Sequence, residues 1–245
     1  MNRPKIEILE SCTSTNTELA GRADVPHGAV LATRTQTAGR GQRGNSWEAE
    51  PGKNLTFSIV LRPTDFPAAR SFELSMVTAL AVSDYLQAFL PAHSVKVKWP
   101  NDIYVGDRKI CGILIENSFC GTRLDRMIIG IGINVNQTVF LSDAPNPVSL
   151  AQLTSREYAL ESELAAVTGA ILRSADDYCR QPEPGLLHER YMDRLWRRRG
   201  DHAWHDLLRN ETIRADIADV ALSGHLTLAT RPPRTYAFKE LAAIL

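Results

Sequence analysis

Two hydrophobic periods run along the chain, and the places where they change mark its elements. Residues 5–9 alternate apolar and polar and predict a first strand. In Ser14-Thr15-Asn16-Thr17-Glu18, Thr15 with Glu18 three positions on has the form of a capping box and predicts a helix start. Residues 29–34 predict a strand that feeds a glycine-rich loop at 39–47, and residues 54–62 predict another strand. Over 70–90, Phe72, Met76, Ala79, Val82, Leu86 and Phe89 recur at steps of three and four, which predicts a helix with one apolar stripe packed on the core. Val95, Val97 and Trp99 alternate with Lys96 and Lys98 as a strand with one polar face. Pro100-Asn101-Asp102 is a turn, and 103–106 with 109–116 form a hairpin joined at Gly106-Asp107. Residues 127–135 are almost continuously apolar, the pattern of a strand covered on both faces.

Thr154 with Glu157 predicts the start of a long helix reaching about Cys179. Pro182 and Pro184 break it, and a short helix follows to Arg199. From about residue 200 the pattern shifts to short strand-like pieces at 211–220, 225–230 and 235–245, which fit a small all-β barrel or sandwich. The sequence thus divides into a larger unit, 1–195, and a small C-terminal unit, 196–245, with a boundary uncertain by several residues.

Composition narrows the function classes. Lys+Arg and Asp+Glu are both 28, so the formal net charge is zero and the basic footprint of a nucleic-acid protein is missing from the chain as a whole. Arg194, Arg197, Arg198 and Arg199 cluster, but a solvated helix end accounts for them. No apolar run approaches the ~20 residues of a membrane span, and the first residues lack the apolar core of a signal peptide. Cys12, Cys111, Cys120 and Cys179 form no CxxC pair, so they read as reduced thiols of a cytoplasmic protein. Cys12 and Cys111 lie beside the motifs below, where small buried packing explains them.

Two stretches carry chemistry. Gly39, Gly41 and Gly44 let the 39–47 loop turn tightly and bring N–H groups close to an anion, while Arg40 and Arg43 add fixed positive charge. A surface turn with two solvated arginines would look the same, and the loop is neither a Walker loop nor a GxGxxG opening a helix. The second stretch is 98–116. Lys109 sits there in a mostly apolar strand, where a lysine is costly unless paired or used; the alternative is an edge-strand lysine that discourages aggregation. Asn101 and Asp102 lie in the preceding turn. Either they merely make the turn, or the hairpin folds back and brings both to the cavity of Lys109.

Together these pieces resemble the biotin–protein ligases. Ser-Thr-Asn at 14–16, QTAGRGQRGNSW at 36–47, KWPND at 98–102, RKICGILIE at 108–116 and GIGINVN at 130–136 follow that family's order and spacing, and YAFKE at 236–240 resembles its C-terminal domain. The resemblance implies an α+β fold, a mixed β-sheet flanked by helices as in class II aminoacyl-tRNA synthetases, followed by a small SH3-like β-barrel. It implies ATP-dependent biotinylation of a lysine on a biotin carboxyl carrier protein through biotinyl-AMP. Biotin, ATP and Mg²⁺ would be the ligands. Carried over by motif, Ser14, Thr15, Asn16 and Gln36 would line the biotin pocket. Hydroxyls and an amide suit the compact donors and acceptors of a ureido ring. Gly39, Arg40, Gly41, Gln42, Arg43 and Gly44 would cover the biotin carboxylate and the phosphates. Trp47 would hold the adenine by stacking, Asn134 would contact the adenylate, and Gly112 would admit ligand beside the backbone. Lys109, Arg40 and Asp102 would act in catalysis, Asp102 by orienting or deprotonating the acceptor amine. Asn101, beside Asp102, and Lys109 would also be among the ligand-binding residues.

One position departs from the pattern. Most relatives carry arginine where this chain has Gln42, which keeps hydrogen bonding and loses charge, with Arg43 beside it as a substitute. The pocket motif begins at residue 14, so the expectation is the monofunctional type without an N-terminal DNA-binding domain. Homodimerisation varies within the family, so the resemblance leaves it open. Lipoate–protein ligases share the fold but carry a different glycine-rich signature. A non-enzymatic biotin sensor would have lost Lys109 or Arg40, and both are present.

Overall fold

A computed structural model describes residues 5–41, 45–142 and 146–244. Strand β1 (Ile6–Cys12), helix α1 (Thr15–Ala20), β2 (Val30–Gln36) and β3 (Leu55–Leu61) come first. After a 3-10 turn, α2 (Ser71–Gln87) leads to β4 (Val95–Lys98), β5 (Asp102–Val105), β6 (Arg108–Cys120) and β7 (Arg123–Ile133). The strands form one sheet in the order β1-β2-β3-β7-β6-β5-β4, with β1 and β2 parallel and every other pair antiparallel. This is the mixed sheet that the sequence predicts.

Helices α3 (Leu150–Thr154), α4 (Leu160–Arg180) and α5 (Pro184–Arg194) complete the larger unit. Packed against α4, α5 and β4, α2 is buried well beyond its predicted stripe, with Ser75, Thr78 and Ser83 inside as well. Glu73 is buried too, and it is tolerated because Arg70 (2.7 Å) and the Tyr178 hydroxyl neutralise and hydrogen-bond it.

Two predicted helix starts are corrected. Helix α1 is capped at Ser14 without a side-chain cap bond, because Thr15 turns inward to Gln36 and Ser58 and makes no capping box with Glu18. Thr154 does not open the long helix; it ends α3, whose capping box is Ser149 with Gln152, and Ser155 then takes a left-handed conformation. The stronger signal was the serine with a glutamine three residues on, just before Leu150.

Beyond residue 200, β8 (His202–Asp206), β9 (Glu211–Ala215), β10 (Ile217–Val220), β11 (Leu226–Leu228), β12 (Arg234–Tyr236) and β13 (Leu241–Ala243) follow. Among the described residues they pair as two three-stranded sheets, β10-β11-β12 and β13-β8-β9, and no closed ring is formed. Strand β8 is not among the predicted pieces. Its inward positions are Trp204 and Asp206, and a carboxylate in a core position hides the apolar alternation. These sheets meet the larger unit through Trp99, whose indole N–H donates to the Gly224 carbonyl (2.9 Å) and whose ring lies 5.2 Å from that of Phe238. Among the described residues, no helix is long and apolar enough to cross a membrane.

Candidate active site

One face of the large sheet is built for a ligand by register. Thr56 and Ser58 of β3 stand opposite Gly132 and Gly130 of β7, which stand opposite Gly112 and Leu114 of β6. Glycine therefore recurs on this face while Ile129, Ile131 and Ile133 fill the other side of β7. The glycines are required by close approach. A Cβ at Gly130 would collide with the Asn16 amide, and one at Gly132 with the Trp47 indole. Strand β7 is covered on both faces, as its apolar run predicts: Ile129, Ile131 and Ile133 face one core, while Ile128 packs in a second cluster with Leu19, Val25, Leu31 and Val60 on the side of Gly130 and Gly132.

A β-bulge sets where Lys109 points. Lys109 and Gly112 are three residues apart and would face opposite sides of a regular strand. The register slips between Ile103 and Tyr104, so that Ile103 pairs with Cys111 and Tyr104 with Lys109, leaving Ile110 as the extra residue. Asp102, Tyr104, Lys109 and Gly112 then share one face. The Lys109 Nζ lies 2.8 Å from an Asp102 carboxylate oxygen and 5.7 Å from the centre of the Trp47 ring. Strand β6 runs between β7 and β5, so the edge-strand account of Lys109 fails.

Ser14, Thr15, Asn16, Gln36, Arg40, Trp47 and Gly112 all line one small cavity. Its polar groups are already cross-linked. The Ser58 hydroxyl donates within reach of Thr15 Oγ1 (2.7 Å) and Asn16 Oδ1 (2.6 Å). Gln36 Oε1 accepts from the Thr15 N–H at 2.9 Å. The Asn16 amide donates to Glu116 (2.7 Å) and to the Leu114 carbonyl (3.3 Å), and Glu116 also accepts from Arg40 at 3.0 Å. Arg40 is therefore anchored, beyond the solvated-turn account of it.

Beside the cavity, sharing Ile113 with it, lies a groove between the sheet and the C-terminal strands, lined by Lys98, Asp102, Lys109 and Lys239 among others. Lys98 donates to the Tyr104 hydroxyl at 2.9 Å and stands over the Tyr104 and Trp196 rings. Burial pushes its ammonium below the ordinary lysine value; Asp102 opposes this, while the positive charges of Lys109 and Arg197 add to it.

The remaining expected residues fall elsewhere. The Gly39 carbonyl accepts from the Trp47 N–H (2.9 Å), and the Gly41 N–H donates to the Asn45 carbonyl (2.6 Å), so both shape the loop and line neither the cavity nor the groove. Gln42, Arg43 and Gly44 lie outside the described residues. Asn101 is buried, donates its amide to the Ile113 carbonyl and lines a separate hollow with Phe72 and Phe238. Strand β5 begins at Asp102, whose side chain reaches Lys109, whereas Asn101 lies in the turn before it and is tied to the Ile113 carbonyl. Asn134 donates to the Val148 carbonyl at 3.1 Å, while its Oδ1 and the Trp47 Nε1 are buried without a hydrogen-bond partner among the described residues. Ser58, Glu116, Gly130, Gly132 and Lys98 were missed by sequence reasoning, although the Gly-x-Gly alternation in 130–132 and the position of Glu116 at the end of its motif were available signals. The four cysteines are free thiols; Cys12 and Cys111 are buried, in keeping with a packing role.

Comparison with known proteins agrees with this geometry. The family model described as Biotin/lipoate A/B protein ligase family matches residues 8–134. The bifunctional ligase/repressor BirA of Bacillus subtilis is 38% identical over 133 residues, 54% of this chain and 39% of that protein. The biotin–[acetyl-CoA-carboxylase] ligase of Paracoccus denitrificans is 38% identical over 130 residues, 52% of this chain and 53% of that protein. The matches to these curated relatives thus span between about two fifths and half of their length. In structure, biotin protein ligase from Aquifex aeolicus in complex with biotin and ATP superposes with a TM-score of 0.80 over 98% of this chain and 99% of that one, at 24% identity, a likeness of fold. With the family model covering more than half of its length and the glycine-faced sheet in place, this chain belongs to the biotin/lipoate A/B protein ligase family.

Proposed function

We propose that the protein is an ATP-dependent biotin–protein ligase. It joins biotin to AMP and then passes the biotin to a lysine of a carboxylase's biotin carboxyl carrier domain. The observation that carries this reading is a small polar cavity on the glycine face of the sheet, with a carboxylate-paired lysine and a lysine-lined groove beside it, the two hollows sharing Ile113. A compact ureido ring needs matched donors and acceptors, which Ser14, Thr15, Asn16, Gln36 and Ser58 supply. A carboxylate meeting a triphosphate needs positive charge, which Lys109, Lys98 and Arg40 supply.

In the first step the biotin carboxylate attacks the α-phosphorus of ATP and pyrophosphate leaves. Lys109 would neutralise charge building on the phosphate, and Trp47 Nε1 and Asn134 Oδ1, buried without partners among the described residues, would be available to the nucleotide. Among the described residues there is no cluster of three or more metal-ligating side chains, and Asp102 is the one carboxylate lining the groove. Such a donor set fits a Mg²⁺ carried chiefly on phosphate oxygens, where it offsets their charge. In the second step the acceptor amine, with a free pKa of about 10.4, attacks the acyl carbonyl, AMP leaves and the amine loses a proton, which Asp102 would take or orient.

We also take residues 1–195 as the catalytic unit and 196–245 as an appended unit that forms the far wall of the groove. A cytoplasmic protein with no nucleic-acid or membrane partner fits the zero net charge, and a homodimer is compatible with the fold. The test is exchange of radiolabelled pyrophosphate into ATP. Exchange that requires biotin and ignores lipoate is expected. Exchange driven by lipoate would move the chain to the lipoate branch of its family, and biotin binding without exchange would make it a sensor.

A further inference from the structure

One carboxylate ties the chain after Trp47 to a second loop. Glu48 accepts from the backbone N–H groups of Leu141 (2.8 Å) and Ser142 (2.7 Å) and from the Gln137 amide (3.2 Å). Gln137 is buried, and its carbonyl oxygen accepts from the Glu50 N–H (2.9 Å) and from the Asn54 amide. Asn54 in turn accepts from the Val135 N–H at 2.9 Å. Burial raises the Glu48 carboxyl, but the donors from Ser142, Leu141 and Gln137 outweigh it and hold the group below its ordinary value.

The location of this clasp gives it consequence. On one side it adjoins Trp47. On the other, the 137–142 loop starts three residues after Asn134. Trp47 and Asn134 therefore lie on two chain segments that Glu48 and Gln137 hold together. Each carries a buried polar atom with no partner among the described residues, which a bound ligand would satisfy.

We infer that Glu48 is a positioning residue for the nucleotide half of the reaction, locking the Trp47 segment and the 137–142 loop into one wall. This rests on the reading of the protein as an adenylate-forming ligase. Glu48 acts through Trp47 and the loop. With the wall already ordered, nucleotide binding loses less conformational freedom. Hydrogen bonds to a charged acceptor are roughly twice as strong as neutral ones, so glutamine would keep the shape and loosen the hold.

The test compares wild type with Glu48→Ala and Glu48→Gln. Amide hydrogen exchange at Leu141 and Ser142 is measured beside biotin-dependent pyrophosphate exchange and biotin affinity. In Glu48→Ala the two amides should exchange about tenfold faster and the KM for ATP should rise about tenfold, with kcat and biotin affinity within about twofold of wild type. Glu48→Gln should fall between and keeps the test informative if the alanine variant is poorly folded. Unchanged amide protection overturns the clasp. Faster amides with an unchanged KM overturn the positioning role. A wild type without biotin-dependent exchange removes the ligase reading and the positioning role with it, while the amide rates still judge the clasp by themselves.

Discussion

The two ends of the site differ in how complete they are. At the Asn16 end, Ser58, Thr15, Gln36 and Glu116 satisfy one another through short hydrogen bonds, so the cavity keeps its shape by itself. At the Lys109 end, Trp47 Nε1 and Asn134 Oδ1 are buried without partners among the described residues, and Lys98 is held below its ordinary pKa by burial, with the charge of Lys109 adding to it. The first end is satisfied in advance, and the second keeps hydrogen-bonding atoms open beside two lysines. A network satisfied in advance favours tight recognition of one compact shape, whereas open polar atoms beside positive charge suit a step in which negative charge develops.

This contrast can be broken by experiment. Its largest expected consequence is at Lys109: Lys109→Ala should lower biotin-dependent pyrophosphate exchange by about 10²–10³-fold while biotin binding persists. A variant that loses biotin binding to the same extent would show that the two ends are not separable. Next, Asp102→Ala should slow transfer from preformed adenylate by about 10²-fold and adenylate formation by much less. Equal losses in single-turnover measurements of the two half-reactions would remove Asp102 from its assigned step. At the other end, Asn16→Ala deletes the group that joins Ser58 to Glu116 and should weaken biotin about tenfold, or ~1.4 kcal/mol, leaving the KM for ATP nearly unchanged. Calorimetry showing a parallel loss of ATP affinity would contradict the division. The smallest effect concerns protons. The Lys98 ammonium is depressed in the free protein, so it is more deprotonated than a free lysine as pH rises; a polyphosphate in the groove would raise its pKa and draw protons in. Pyrophosphate binding at alkaline pH should therefore take up a fraction of a proton, seen by calorimetry in buffers of different ionisation enthalpy. No uptake would place the anion away from Lys98.

How far the sequence reached can be judged residue by residue. Strand and helix identities in the first half were legible because their periods are long and clean, as in α2 and the 95–116 hairpin. Helix starts were less legible. Thr15 and Thr154 each head a capping pattern, but one side chain is used in the pocket and the other lies at a helix end, and only packing decides between such uses. Asp102 and Lys109 were visible as candidates, whereas their pairing depends on a bulge at Ile110 that local composition does not announce. Asn101 shows the reverse. It is adjacent to Asp102 in sequence and on the opposite side of the chain in space.

The sequence alone determined what is local or periodic: the alternation that makes the strands, the glycines that permit close approach, the zero net charge and the ordered motifs shared with a known family. Tertiary structure alone decided which of those residues meet. Ser58, Asn16, Glu116 and Arg40 come from distant segments, and sheet register, which couples residues as much as a hundred apart, brings them together. Register is set by the burial of the whole opposite face of the sheet. It is therefore a property of the complete core and is carried by no single stretch of chain.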